Sequence, residues 1–176
     1  MPESTDLPVR FVCQTGSETL IKEGAPAEEW VTTEEQYDFD GHGNRVLTAK
    51  LGVTSIGGGA CPACDRDESV HGAPCGETCR GDEAYEETTF IAPDQTGGKW
   101  LLRAPYRQRQ YGESGSPVYT ETLTYYDGDD FFGMPLGRLE RGLVKRVTQK
   151  VEAGSDEVIA KERSAFDAHG NVTVLM

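Results

Sequence analysis

Apolar and polar residues alternate over short runs along most of the chain, and Val118–Tyr126 (VYTETLTYY) shows the pattern most plainly. A period of two puts alternate side chains on opposite sides of an extended backbone, so such a run predicts a strand with one wet face. Comparable runs, rich in β-branched and aromatic residues, predict strands at Val9–Gln14, Trp30–Phe39, Arg45–Ser55, Tyr85–Ile91, Lys99–Gln110, Gly142–Val151, Glu157–Phe166 and Val172–Leu175. No window sustains an apolar stripe at helical spacing, and only a short helical turn is expected, around Ala27–Trp30. Turn-forming clusters separate the runs, at Gly57-Gly58-Gly59 and at residues 93–98, 112–117 and 153–156. The last of these is short enough to make a hairpin of Lys145–Glu152 with Glu157–Phe166. The expected fold class is all-β, built from antiparallel strands.

Two of the reversals are written in nearly the same residues. Phe39-Asp40-Gly41-His42-Gly43-Asn44 returns as Phe166-Asp167-Ala168-His169-Gly170-Asn171, each copy between two candidate strands. Glycine supplies the positive φ of a tight reversal, asparagine tolerates it, and an aspartate carboxylate accepts from backbone amides two residues onward. Asp40, Gly43, Asn44, Asp167, Gly170 and Asn171 are therefore expected to be turn residues. His42 and His169 are expected to face solvent within those turns rather than to serve as bases or ligands.

These residues resemble the Tyr-Asp-x-x-Gly-Asn core of RHS, or YD, repeats. A second stretch, Thr122 to Gly137 (TLTYYDGDDFFGMPLG) followed by Gly142-Leu143-Val144-Lys145-Arg146, is similar to the middle region of B-component proteins of insecticidal toxin complexes. Gly81–Phe90 and Trp100–Pro105 fit that region in the same order. The resemblance covers residues 37–176 and leaves 1–36 unassigned. It implies strands with YD-type turns in the wall of an RHS-like β-shell, in which Tyr125–Gly137 caps or redirects strands. The implied role is structural and non-catalytic: a shell segment that encloses or docks a toxic effector. Its implied partners are the remaining shell strands, the effector cargo and, through the full protein, a pore-forming A component. Such a protein belongs to a secreted or cell-surface toxin particle. The resemblance stops short of self-cleavage, because the chain has no Asp-Pro dipeptide of the kind cargo-releasing shells carry.

The charge narrows the partners. Thirty acidic against 17 basic side chains leave a formal net charge of −13, which repels phosphate backbones and anionic lipid surfaces, so no nucleic-acid partner and no membrane insertion are expected. The opening MPESTDLPVR has neither the basic start nor the apolar centre of a secretory signal, and the closing VTVLM reads as a strand in the midst of a longer protein.

Cys61-Pro62-Ala63-Cys64 and Cys75-Gly76-Glu77-Thr78-Cys79 form two close pairs inside a polar, glycine-flanked insertion at residues 57–80. Four thiolates converging from two such knuckles make a closed structural zinc site, with no position left for substrate. Disulfides among the same four and free thiols are the rival states, and His71 is an alternative ligand. Cys13 has no visible mate and reads as a small apolar residue. A self-standing zinc-stapled β binding module is thus the alternative to the shell. A hydrolase ranks below both: Asp38/Asp40 and Asp129-Asp130 are acidic pairs expected by chance in so acidic a chain, and no nucleophile elbow, phosphate loop or His-Glu-x-x-His helix occurs.

Overall fold

In the computed structural model, residues 12–24, 26–56, 59–60, 83–92, 101, 103–112, 118–151, 155 and 157–176 are described. The strands are β1 (Gly16–Ile21), β2 (Val31–Phe39), β3 (Arg45–Ile56), β4 (Gly59–Ala60), β5 (Ala84–Phe90), β6 (Pro105–Tyr111), β7 (Val118–Tyr126), β8 (Val144–Lys150), β9 (Val158–Phe166) and β10 (Val172–Leu175). They form an open antiparallel sheet in the order β1-β2-β3-β5-β6-β7-β8-β9-β10, with the two-residue β4 pairing the end of β3. The all-β antiparallel expectation is met, and β8 and β9 pair as the expected hairpin.

Two strands differ from the sequence reading, and the short helical turn expected around Ala27–Trp30 forms. Residues 12–15 are irregular, and the first strand forms further along, where Gly16–Ile21 pairs residue for residue with Val31–Gln36. Leu101, Arg103 and Ala104 are irregular, and β6 begins only at Pro105; a proline at the first residue of a strand gives up no ladder donor from its interior. The turn at Ala27–Glu29 is a single 3-10 turn, too short to pack an apolar face.

Because every neighbouring pair is antiparallel, successive connections alternate between the two ends of the sheet. The β2–β3, β5–β6, β7–β8 and β9–β10 connections share one end. The opposite end carries the other four, among them the excursion between β4 and β5 that contains the cysteine-rich insertion. Both repeated phrases therefore turn the chain at the same rim.

Register also fixes what shares a face. Leu47 and Ala49 of β3 stand beside Glu87 and Tyr85 of β5, and these beside Arg109 and Tyr111 of β6. Glu121 of β7 stands beside Arg109, and Arg146 of β8 is opposite Tyr125 of β7 on one side and Arg163 of β9 on the other. The reverse face carries Glu86, Gln108, Gln110, Thr120, Thr122 and Gln149.

Among the described residues apolar packing forms two clusters. Leu47, Ala49 and Tyr85 are buried with Leu51 and Tyr111 against them, and the Tyr85 and Tyr111 rings stack with centroids 5.3 Å apart. Ile91, Tyr126 and Leu139 form the second cluster with Leu101, Ala104, Tyr106 and Val144, next to the rim that bears the repeated turns. Among the described residues as many polar as apolar side chains are buried, while Ile159, Val172, Val174 and Leu175 stay exposed at the β10 edge. The described residues thus form an open sheet held by its ladders and by polar networks more than by a shared apolar core.

Among the described residues a charge network centres on Glu121, whose side chain is 3% exposed. Its carboxylate accepts from Arg107, from Arg109 Nε at 3.1 Å and from Lys150 Nζ at 2.8 Å, and Arg109 reaches on to Glu87 at 3.7 Å. Burial alone would raise the Glu121 pKa, but the bonds from Lys150, Arg107 and Arg109 outweigh it and bring it down to about 2. Four strands, β5 to β8, are tied by this row of charges.

Candidate functional site: three aspartate corners

The two repeated phrases fold identically. The Asp40 N–H donates to the Asn44 carbonyl at 2.9 Å, and the Gly43 N–H donates back to the Asp40 carbonyl at 3.0 Å. Asp40 Oδ1 accepts from the backbone N–H groups of His42 and Asn44, and Oδ2 from the Asn44 side-chain amide, all at 2.9 Å. In the second copy Asp167 N–H meets the Asn171 carbonyl at 2.9 Å and Gly170 N–H meets the Asp167 carbonyl at 3.1 Å. His169, Asn171 and the Asn171 amide bond Asp167 at 2.9 Å each. One carboxylate thus satisfies the donors that a tight reversal would otherwise leave unpaired. Gly43 and Gly170 take φ of 79° and 88°, the left-handed region their positions require.

The structure adds a third corner of the same design. Asp127 follows the strand-end aromatic Tyr126 just as Asp40 follows Phe39 and Asp167 follows Phe166. Its N–H donates to the Leu143 carbonyl at 2.7 Å, and its Oδ1 accepts the Leu143 N–H at 3.1 Å, so Leu143 holds the place of Asn44 and Asn171. Gly142, with φ of 89°, holds the place of Gly43 and Gly170. Residues inserted between these two ends loop out and return, and Asp127 Oδ2 gathers their last amides: Glu140 at 2.7 Å, Arg141 at 2.8 Å and Gly142 at 3.0 Å. Within the loop Met134 N–H bonds the Tyr126 carbonyl at 2.8 Å and Phe131 N–H bonds the Ser164 carbonyl of β9 at 3.2 Å, while Leu139 pegs into the second apolar cluster. The stretch expected to cap or redirect strands is therefore an expanded corner on the same rim as the other two.

Electrostatics match the geometry. Burial pushes the Asp127 carboxyl up, but its four backbone donors prevail and hold it below the usual carboxylate range. Partial burial also opposes ionisation of Asp40, and there the Asn44 amide and the backbone of Asn44 and His42 win. At Asp167 the Asn171 amide leads in lowering the pKa.

The other candidate residues are not gathered into a reactive constellation. His42 and His169 lie at corners separated by six strand spacings, roughly 29 Å, and both are exposed. Asp130 is occupied by Lys145, whose ammonium also sits 4.9 Å from the Phe166 ring, and the Asp129 carbonyl accepts the loop amides of Phe132 and Gly133. Asp38 is exposed on β2 while Asp40 is taken up by its corner. An open concavity of about 480 Å³ beside the first corner is lined by Leu47, Phe90 and Tyr111, with Asp40 and Glu87 as its carboxylates. Cys61, Cys64, Cys75, Cys79 and His71 lie outside the described residues. Among the described residues no three His, Cys, Asp or Glu side chains group to hold a metal, Cys13 is a free thiol, and no helix is long and apolar enough to cross a membrane.

The Glu121 network and the closure of the Asp127 corner by Leu143 are not legible in the sequence. The signals available were the alternating arginines of Arg107-Gln108-Arg109 and an aspartate directly after a strand-end aromatic. A Cβ on Gly170 would lie 3.6 Å from Leu143 Cδ2, ordinary contact, so Gly170→Ala isolates the backbone cost of the left-handed position. We expect a loss of about 1 kcal/mol in urea unfolding; an unchanged midpoint would show that the corner does not depend on that conformation.

Comparison with family models, with curated proteins and with solved structures yields no match to the chain.

Proposed function

We propose that the chain is a structural, non-catalytic segment of an RHS-like shell of the toxin-complex kind, whose task is to form wall that encloses or docks a toxic effector. The observation that carries this reading is the use of one aspartate corner three times on one rim of an open single-layer sheet. A catalytic group is needed once, whereas a wall needs strand reversals again and again, and three of the four on this rim use the same corner. Among the described residues no strand pairs the outer edges of β1 and β10, which suits a sheet continued by further strands on both sides. Under this reading the partners are those neighbouring strands and the effector, with a pore-forming component engaged by the complete particle at or outside the cell surface.

The test is the size of the native polypeptide. An antibody raised against these residues should detect a chain several times longer than 176 residues. A native product of this length alone overturns the wall and leaves the self-standing module.

The zinc assignment to Cys61, Cys64, Cys75 and Cys79 belongs to the same proposal as a staple for the insertion between β4 and β5. We expect about one zinc per chain in protein purified without added metal, and release of that zinc by a thiol-reactive mercurial. Metal-free protein whose cysteines resist alkylation until reduced would replace zinc by disulfides.

A further inference from the structure

We infer that the face of β8 and β9 beside the Glu121 network is a binding site for carboxylate side chains of an extended acidic polypeptide. Arg146 and Arg163 are direct cross-strand partners, an arrangement of like charges that costs stability unless an anion lies between them. Neither guanidinium has a carboxylate partner among the described residues. Arg146 stacks on the Tyr125 ring at 3.9 Å, which fixes its plane, and its Nε is buried without a hydrogen-bond partner. Arg163 is exposed.

Thr148 supplies an independent observation. It sits two residues along β8 from Arg146, on the same face, is 4% exposed, and its hydroxyl also has no partner. Two orphaned polar groups on one strip, flanked by unpaired positive charge, describe a place prepared for an acceptor that is not part of this fold.

The chemistry favours carboxylate from a polypeptide. A carboxylate is planar and bridges two guanidinium groups, which is the geometry a cross-strand arginine pair offers. Alternate side chains of an extended peptide recur at roughly the spacing of alternate residues on β8, about 6.6 Å. One acidic side chain on the Arg146–Arg163 pair thus places the next but one over Thr148, toward Lys150 and Arg107. The site is local to β7–β9 and does not depend on the wall reading.

The experiment is a titration of the full chain with a short labelled peptide of alternating alanine and glutamate, followed by fluorescence anisotropy and by the side-chain Nε–H resonances of Arg146 and Arg163. We expect saturable binding at low ionic strength that weakens with added salt, displacement of both resonances, and no binding of the matching alanine–glutamine peptide. Arg163→Ala, at an exposed position, should weaken binding about tenfold, and Arg146→Ala/Arg163→Ala by more. Thr148→Val should weaken it about threefold without moving the two arginine resonances of the free protein. No binding of the acidic peptide, unchanged affinity in Arg163→Ala, or preference for oligothymidylate or inorganic phosphate over the peptide would each overturn the proposal.

Discussion

Asp127→Ala is expected to cost about 4 kcal/mol of unfolding free energy and to lower the thermal midpoint by about 10 °C or more. The substitution leaves four backbone amides, those of Glu140, Arg141, Gly142 and Leu143, without their acceptor. Hydrogen bonds to a charged group are each worth about 1.5–3 kcal/mol, and part of the loss is returned because residues 140–142 are exposed and water reaches their amides. Asp127→Asn keeps one acceptor oxygen and should lose about half as much. Urea unfolding gives the total, and amide exchange locates it: those four amides should exchange faster while β5 and β6 keep their protection. A cost below about 1 kcal/mol would mean that the loop is held by Leu139 in the apolar cluster and not by the carboxylate.

The second large effect is at Glu121. Glu121→Gln removes the charge that Arg107, Arg109 and Lys150 share, and breaking a buried pair from one side typically costs about 3–5 kcal/mol because the remaining charges stay desolvated. Arg107 keeps over a third of its side chain in water and Lys150 a fifth, so about 3 kcal/mol is expected here. Salt provides a distinguishing sign. The variant, left with three clustered cations, should gain stability as ionic strength rises, while the parent chain should not. The same carboxylate sets a pH dependence. Its folded pKa of about 2 lies below its ordinary value of 4.5, so its contribution is complete above pH 4.5 and disappears as pH falls toward 2. Asp40, Asp127 and Asp167 are depressed as well, so their contributions vanish in the same direction. Urea midpoints followed from neutral pH down to pH 2 should fall steeply in the parent chain and less steeply in Glu121→Gln. Parallel curves would remove Glu121 from the account.

What could be read in advance follows the reach of each interaction. The corners at Asp40 and Asp167 are closed by residues four positions away, so aspartate, glycine and asparagine stand together in the sequence and their geometry can be inferred. The corner at Asp127 is closed sixteen positions away by Leu143, which uses only its backbone there and leaves no asparagine as a signature. Gly142 and the aromatic before Asp127 are the remaining traces. The Glu121 network required knowing that β6, β7 and β8 are neighbours in one particular register, since Arg107 and Lys150 converge on one carboxylate from opposite sides. Strand β1 does not stand out in the sequence because GSETLI is short and starts on glycine, so its extended form comes from pairing with β2 and not from its own alternation.

The segregation of connections has an evolutionary corollary. Three of the four bends on one rim of the sheet share a single grammar, an acid at each, and a deletion or a misplaced glycine there would shift the pleat of everything downstream. It is at the other rim that the sequence carries a long cysteine-bearing stretch between β4 and β5, with β3 still pairing β5. A lineage can therefore elaborate one margin of this architecture freely while the other keeps count of the strands.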